Sequence, residues 1–134
     1  MKSVLLTGVL VLAVLGTAIE ARADCQHVRG SDVETIIPSN DPLGRVLGIV
    51  DGALNGASTA FLTSLSADGL NATSSDVFVT RRGNILTATG AVTLTPVPGS
   101  SSEVTETATL KITGGSGSYN GARGTITLEG RGVF

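Results

Sequence analysis

The chain has 134 residues, with 9 Lys and Arg against 11 Asp and Glu, one His, one Cys and no Trp, a length that supports one domain and excludes a two-domain enzyme. With 18 Gly, 41% apolar and only 15% charged residues, and a net charge of −2, it is neither a coiled coil nor a disordered chain. A single Cys excludes an intrachain disulfide framework and a Cys-based zinc cluster.

Residues 1–23 read as a secretory signal peptide. Lys2 supplies the positive start, Val4–Ile19 the apolar run, and Ala21-Arg22-Ala23 a small-x-small cleavage site. The run is short for a membrane span and carries Thr7, Gly8, Gly16 and Thr17. Asp24 stands where a lipidated Cys25 would need a small residue. The expected product starts at Asp24 and is secreted or periplasmic, with no membrane association after the signal is removed. Loss of Lys2, Arg22 and Glu20 leaves a mildly acidic chain without a basic run, which disfavours nucleic acid as a partner. Cys25 has no intrachain partner and could link two copies into a homodimer.

Residues 24–42 read as an extended N-terminal segment, with one short strand over Val33–Ile37 stopped by Pro38. Residues 43–134 form the single domain, and their hydropathy alternates with period two almost throughout. Gly44–Leu54 is apolar on both faces, which predicts a strand covered on both sides. Ala57–Ser66 and Asp76–Arg82 are the next strands, with Ser66–Ser75 a polar loop between them. In Leu86–Pro96, Leu86, Ala88, Val92 and Leu94 share one face and a row of Thr the other. Val104–Thr113 repeats the scheme, with Glu106 the exception on the apolar face. Gly124–Phe134 closes the series.

Turn residues separate the runs. Asn55-Gly56 predicts a type I′ hairpin and Gly83-Asn84 a second two-residue hairpin. Pro96-Val97-Pro98-Gly99 reads as a loop. Seven antiparallel strands in a chain of this size imply a sandwich or a barrel. Regularly spaced Gly at 44, 48, 52 and 56 and at 124, 130 and 132 favours the bending of a barrel.

Gly114-Gly115-Ser116-Gly117-Ser118-Tyr119-Asn120-Gly121-Ala122-Arg123-Gly124 resembles the closing motif of the allene oxide cyclase/dirigent barrel superfamily, in which a Gly-Gly-[Ser/Thr]-Gly turn, an aromatic residue and Ala-Arg-Gly lead into the last strand. Gly44-Arg45-Val46-Leu47-Gly48 looks like that family's early barrel strand. The chain is most similar to the small secreted bacterial members. The resemblance implies an all-β fold, an antiparallel eight-stranded β-barrel. It also implies cyclisation or control of radical coupling in an apolar cavity with a few polar anchors.

Candidate chemistry is sparse. Arg123 stands at the family's Ala-Arg-Gly arginine, and Arg45, Asp51 and Glu106 are its candidate cavity counterparts, because a buried charge requires a partner. Tyr119, the sole phenol, is a further candidate ligand contact that could equally plug one barrel end. Arg123 could equally meet water beside Glu129 and Arg131. His27, near the expected terminus, is a poor catalytic base, and Cys25 with His27 supplies too few ligands for structural zinc. The glycine-rich stretch leads into a strand rather than a helix, so it offers an anion no helix N-terminus. No metal or cofactor is expected.

Three readings follow. The first is a non-catalytic module that binds a hydrophobic small molecule or another partner. The second is a cyclase or stereocontrol enzyme that templates its substrate in the cavity. The third is a surface or matrix component assembled through sheet edges or Cys25.

Overall fold

The computed structural model describes residues 11–13, 27–37 and 43–133, and among them the chain is all β apart from one 3-10 turn at Gly117–Tyr119. Two short strands, β1 (Val11–Ala13) and β2 (His27–Val28), precede seven long ones. These are β3 (Gly30–Ile37), β4 (Arg45–Gly52), β5 (Gly56–Leu65), β6 (Asn71–Thr80), β7 (Ile85–Pro96), β8 (Glu103–Gly115) and β9 (Thr125–Val133). Each long strand pairs antiparallel with its neighbour in sequence, and the seven curl into a half-barrel. β1 pairs with β9 through Leu12↔Ile126 and with β2 through Leu12↔Val28. The sheet order is therefore β2-β1-β9-β8-β7-β6-β5-β4-β3. Arg29 alone separates β2 from β3, so the two ends of that order are consecutive in the chain. The cleavage residues Ala21 and Ala23, and Cys25, lie outside the described residues.

Period-two alternation sends one set of side chains inward. Val50, Leu54, Phe78, Leu86, Leu110 and Ile126 are fully buried, joined by Ala88, Ala108, Ile112 and Leu128. Full burial of a large apolar side chain stabilises by about 1.5–3 kcal/mol. These residues fill one end of the half-barrel. The connection from β8 to β9 closes over them, with Ala122 in the core and Tyr119 packed against it. Asn84 ties that connection down. Its Nδ2 donates to Ser118 Oγ at 3.3 Å, and its Oδ1 accepts from the Ser118 amide at 3.3 Å.

Several expectations from sequence are corrected. The strand expected from Asp76 starts at Asn71, so most of the supposed loop at 66–75 is ladder, with Asn71↔Thr93 through Ser75↔Thr89 paired. The Ser- and Thr-rich composition that suggests a loop suits a strand with a solvated face equally well. β4 is not covered on both sides: Leu47 is 43% and Ile49 68% exposed, with Val33 beside Ile49 at 50%. At the β4–β5 turn, left-handed backbone falls on Gly52 (φ 93°) and not on Gly56. Gly56 lies within β5, where a Cβ would strike the Val79 carbonyl oxygen. At the next hairpin Gly83 is left-handed (φ 76°). Its amide donates to Thr80 O at 2.8 Å, so the loop is Arg81-Arg82-Gly83 and not the pair Gly83-Asn84. A three-residue loop ending on a left-handed glycine is a common hairpin solution.

Candidate functional site

The inward faces diverge at the other end of the half-barrel and leave a cavity of about 110 Å³. Its wall is mostly apolar, with Val46, Ala60, Leu62, Val92, Leu94 and Leu128 prominent. A register shift between Leu62 and Ser64 in β5 brings Leu65 onto the same face as Leu62, because one extra residue resets the alternation. Ile36 and Leu65 stand at the lip, 45% and 46% exposed. The volume lies below the ~300–1,000 Å³ usual for drug-sized ligands. It suits a small molecule, or one end of a longer one.

Between the dry core and this cavity runs a belt of acids. Asp32 and Glu34 come from β3, Asp76 from β6 and Glu106 from β8; the last three line the cavity directly. Ser58 Oγ donates to Asp32 Oδ2 at 2.9 Å, and Ser74 Oγ donates to Asp76 Oδ2 at 2.7 Å. Asp32 is 6% exposed, and its Oδ1 has no hydrogen-bond partner. Gly48, opposite Glu34 on β4, leaves the space these groups occupy. A Cβ there would lie 2.5 Å from Asp32 Oδ1 and 2.9 Å from Glu34 Cγ, and would strike Ser58 Oγ.

Burial dominates the electrostatics of the belt, because an apolar surround disfavours the charged form of a carboxyl group. It pushes Glu34 up to about 9, helped by the charge of Asp32 and, more weakly, by Glu106 and Asp76. Glu106 is raised to about 7 by burial and then by Asp76 and Asp32. Asp76 rises to about 6, burial outweighing the bond from Ser74. Asp32 is also raised by burial, against hydrogen bonds from Glu34 and Ser58. A proton on Glu34 directed at Asp32 accounts for that last interaction, since two carboxylates cannot bond to each other without one.

The structure places the sequence candidates apart. Glu106 alone lines the cavity. Arg45 is on the outer face of β4, its guanidinium 4.2 Å from the centre of the Phe61 ring. Asp51 is exposed on that same outer face, opposite Ser31. Tyr119 packs on the core at the closed end, and Arg123 is exposed in the same connection. Arg45, Asp51, Tyr119 and Arg123 are thus not brought together and do not line the cavity.

Sequence reading missed Asp32, Glu34 and Asp76. The available signal was carboxylates spaced by two on one strand, Asp32-x-Glu34, which share a face. Val33, an aliphatic residue, points outward, and the acids on either side of it point in. Among the described residues, no group of three or more His, Cys, Asp or Glu side chains is arranged to hold a metal ion. Comparison with known proteins finds no family model, no curated protein and no solved structure that matches the chain.

Proposed function

We propose that this chain is a non-catalytic binding module that holds a small, largely apolar molecule in the open end of its barrel. The observation that carries the reading is the 110 Å³ cavity, walled by aliphatic side chains and sealed below by a filled core. Such a site gains affinity from burying apolar ligand surface, and orientation from a few polar groups. The finer fold belongs to the same reading: an eight-stranded antiparallel barrel of the allene oxide cyclase/dirigent kind. Its support is the sequence of the closing loop, Gly114–Gly124. Export through residues 1–23 and a secreted or periplasmic location complete the proposal, supported by the leader-like pattern of Lys2 to Ala23.

The test is native mass spectrometry of the protein purified from its host, alongside Val92→Phe, which fills the cavity from β7. A retained small molecule in the parent, lost in the variant, is the expected result. A bare parent that also fails to take up short-chain alcohols in solution overturns the reading.

A second reading, an enzyme that templates and cyclises a polyene-like substrate, draws on Glu34, Asp76 and Glu106. Carboxyl groups with values near 6 to 9 suit proton transfer near neutral pH. Turnover that vanishes in Glu34→Gln while ligand retention persists would favour it over the binding module.

A further inference from the structure

We propose that the outer face of β4, with β3 and β5 beside it, is the interface of a symmetric dimer, in which a second copy of this chain lays its own β4 face antiparallel across the first. The interface is independent of what the cavity on the opposite face of the sheet holds.

Register builds the surface. Outward residues fall opposite one another as Val33↔Ile49, Ile49↔Ala57, Ala57↔Val79 and Val79↔Ile85, so one aliphatic row crosses five strands, from β3 to β7. Leu47 starts a second row between Thr35 and Thr59. Val33, Leu47, Ile49, Val79 and Ile85 are all exposed, and exposure peaks on β4 at Ile49. A curled sheet is convex outside, so a partner meets β4 first. At these exposures the five side chains present about 400 Å² of apolar surface, a patch of the size that is often functional on a monomer. That is about half of the ~800 Å² each partner gives to a standard interface, with Ser31, Thr35 and Thr59 beside it as a polar rim.

Charge identifies the occupant. Along the outward face of β4 the order is Arg45, Leu47, Ile49, Asp51: a cation, two aliphatic residues, an acid. Gly48 is the midpoint of that series. A two-fold axis running across the strands at Gly48, between the two faces, stacks β4 on its copy with the direction reversed. Leu47 then meets the second copy's Ile49, and Arg45 the second copy's Asp51, each contact occurring twice as an isologous interface requires. Within one chain the Phe61 ring, 4.2 Å away, orients the Arg45 guanidinium without neutralising it, and Arg45 Nε has no hydrogen-bond partner. Asp51 is exposed at the opposite end. The same reversal brings the Asp68 turn, at the Arg45 end, to the end where the second copy carries its Arg81-Arg82 hairpin, which the Arg81 amide ties to Asn55 O at 2.9 Å.

Sheet packing permits the contact. Sheets stacked face to face lie about 10 Å apart with their strands within about 30° of each other. Arg45 and Asp51 each stand about 10 Å from the pivot, so that crossing moves the facing ends sideways by about 5 Å, which an arginine side chain spans. A lipid surface would also take up the aliphatic row, but it would desolvate Arg45 and Asp51 without pairing both. A second copy covers the row and pairs both charges with no further component.

The experiment is sedimentation velocity of the protein across the micromolar range, under reducing conditions so that Cys25 contributes no link. The expected result is a concentration-dependent equilibrium between monomer and dimer. Arg45→Asp and Asp51→Arg should each raise the dissociation constant about tenfold or more, because like charges then face each other at both ends. An equimolar mixture of the two variants should recover the parental affinity, since every facing pair is again of opposite sign. Ile49→Lys should abolish association, and a retained melting transition shows that this outward substitution leaves the fold intact. A parent that stays monomeric throughout overturns the proposal, as does a dimer that Ile49→Lys leaves unchanged. A dimer that Ile49→Lys dissolves but whose mixed charge variants fail to recover overturns the antiparallel pairing of Arg45 with Asp51.

Discussion

Glu34 lies directly opposite Gly48 in the β3–β4 ladder, and the bare glycine is what allows Asp32, Glu34 and Ser58 to converge behind the cavity. The contacts a methyl group would make are with buried polar side chains held by one another. Gly48→Ala should therefore destabilise the fold by about 1–3 kcal/mol, the usual cost of overpacking. Urea unfolding measures it; an unchanged midpoint would mean that the belt tolerates displacement.

Stability should fall as pH rises from about 5 to 9. Glu34, Asp76 and Glu106 hold their protons in the folded chain up to about 9, 6 and 7, against ordinary values of 4.5, 3.8 and 4.5. Between those limits the folded state binds more protons than the unfolded one, so raising pH favours unfolding, and the slope flattens above about 9. A melting temperature at least about 5 °C lower at pH 9 than at pH 5 is expected. Glu106→Leu should reduce that difference, because it removes one raised carboxyl and weakens the repulsion on Glu34. Scanning calorimetry across pH checks both statements.

At the β4–β5 turn the strained position is Gly52. Its φ of 93° disfavours any side chain, and a Cβ would meet the Arg29 carbonyl oxygen at 2.6 Å and Gly30 Cα at 2.7 Å. Gly52→Ala should cost more than the ~1–2 kcal/mol of left-handed backbone alone, whereas Asn55→Ala should cost less than about 1 kcal/mol. Chemical denaturation of both variants ranks them; the reverse order would place the strain at Asn55.

Arg45→Ala should lower stability by about 0.5–1 kcal/mol through loss of its contact with the Phe61 ring. It should leave the uptake of short-chain alcohols unchanged, since the side chain is on the far side of the sheet from the cavity. A changed affinity with an unchanged melting temperature would reverse the assignment.

Much of the fold was legible because strands carry their own periodicity. The Thr-against-aliphatic alternation of Leu86–Pro96 and Val104–Thr113 marks β7 and β8 almost to the residue. β6 was half hidden because Asn71–Ser75 is small and polar on both faces, and pairing with β7 rather than hydropathy decides its state. Turn chemistry was legible as location but not as geometry: Asn55-Gly56 marks a reversal, yet the positive φ sits at Gly52. The site was legible at Glu106, whose acid interrupts an aliphatic face. Asp32 and Glu34 were not, because β3 inverts the rule and turns Val33 toward solvent. Which face is inward on a strand near the sheet's end is set by its neighbour's register, and a single sequence does not contain that information.

The filled end and the acid-ringed end share strands and the side chains of Ala108, Leu110 and Leu128, whereas Phe78, Leu86 and Ile126 belong to the core alone and Ile36, Leu62 and Leu94 to the cavity alone. Outside those three positions, what keeps the protein folded and what chooses its guest are inherited separately. Substitutions drifting through the upper half can retune size or charge preference without endangering the lower, a layout suited to rapid diversification of what such a container holds.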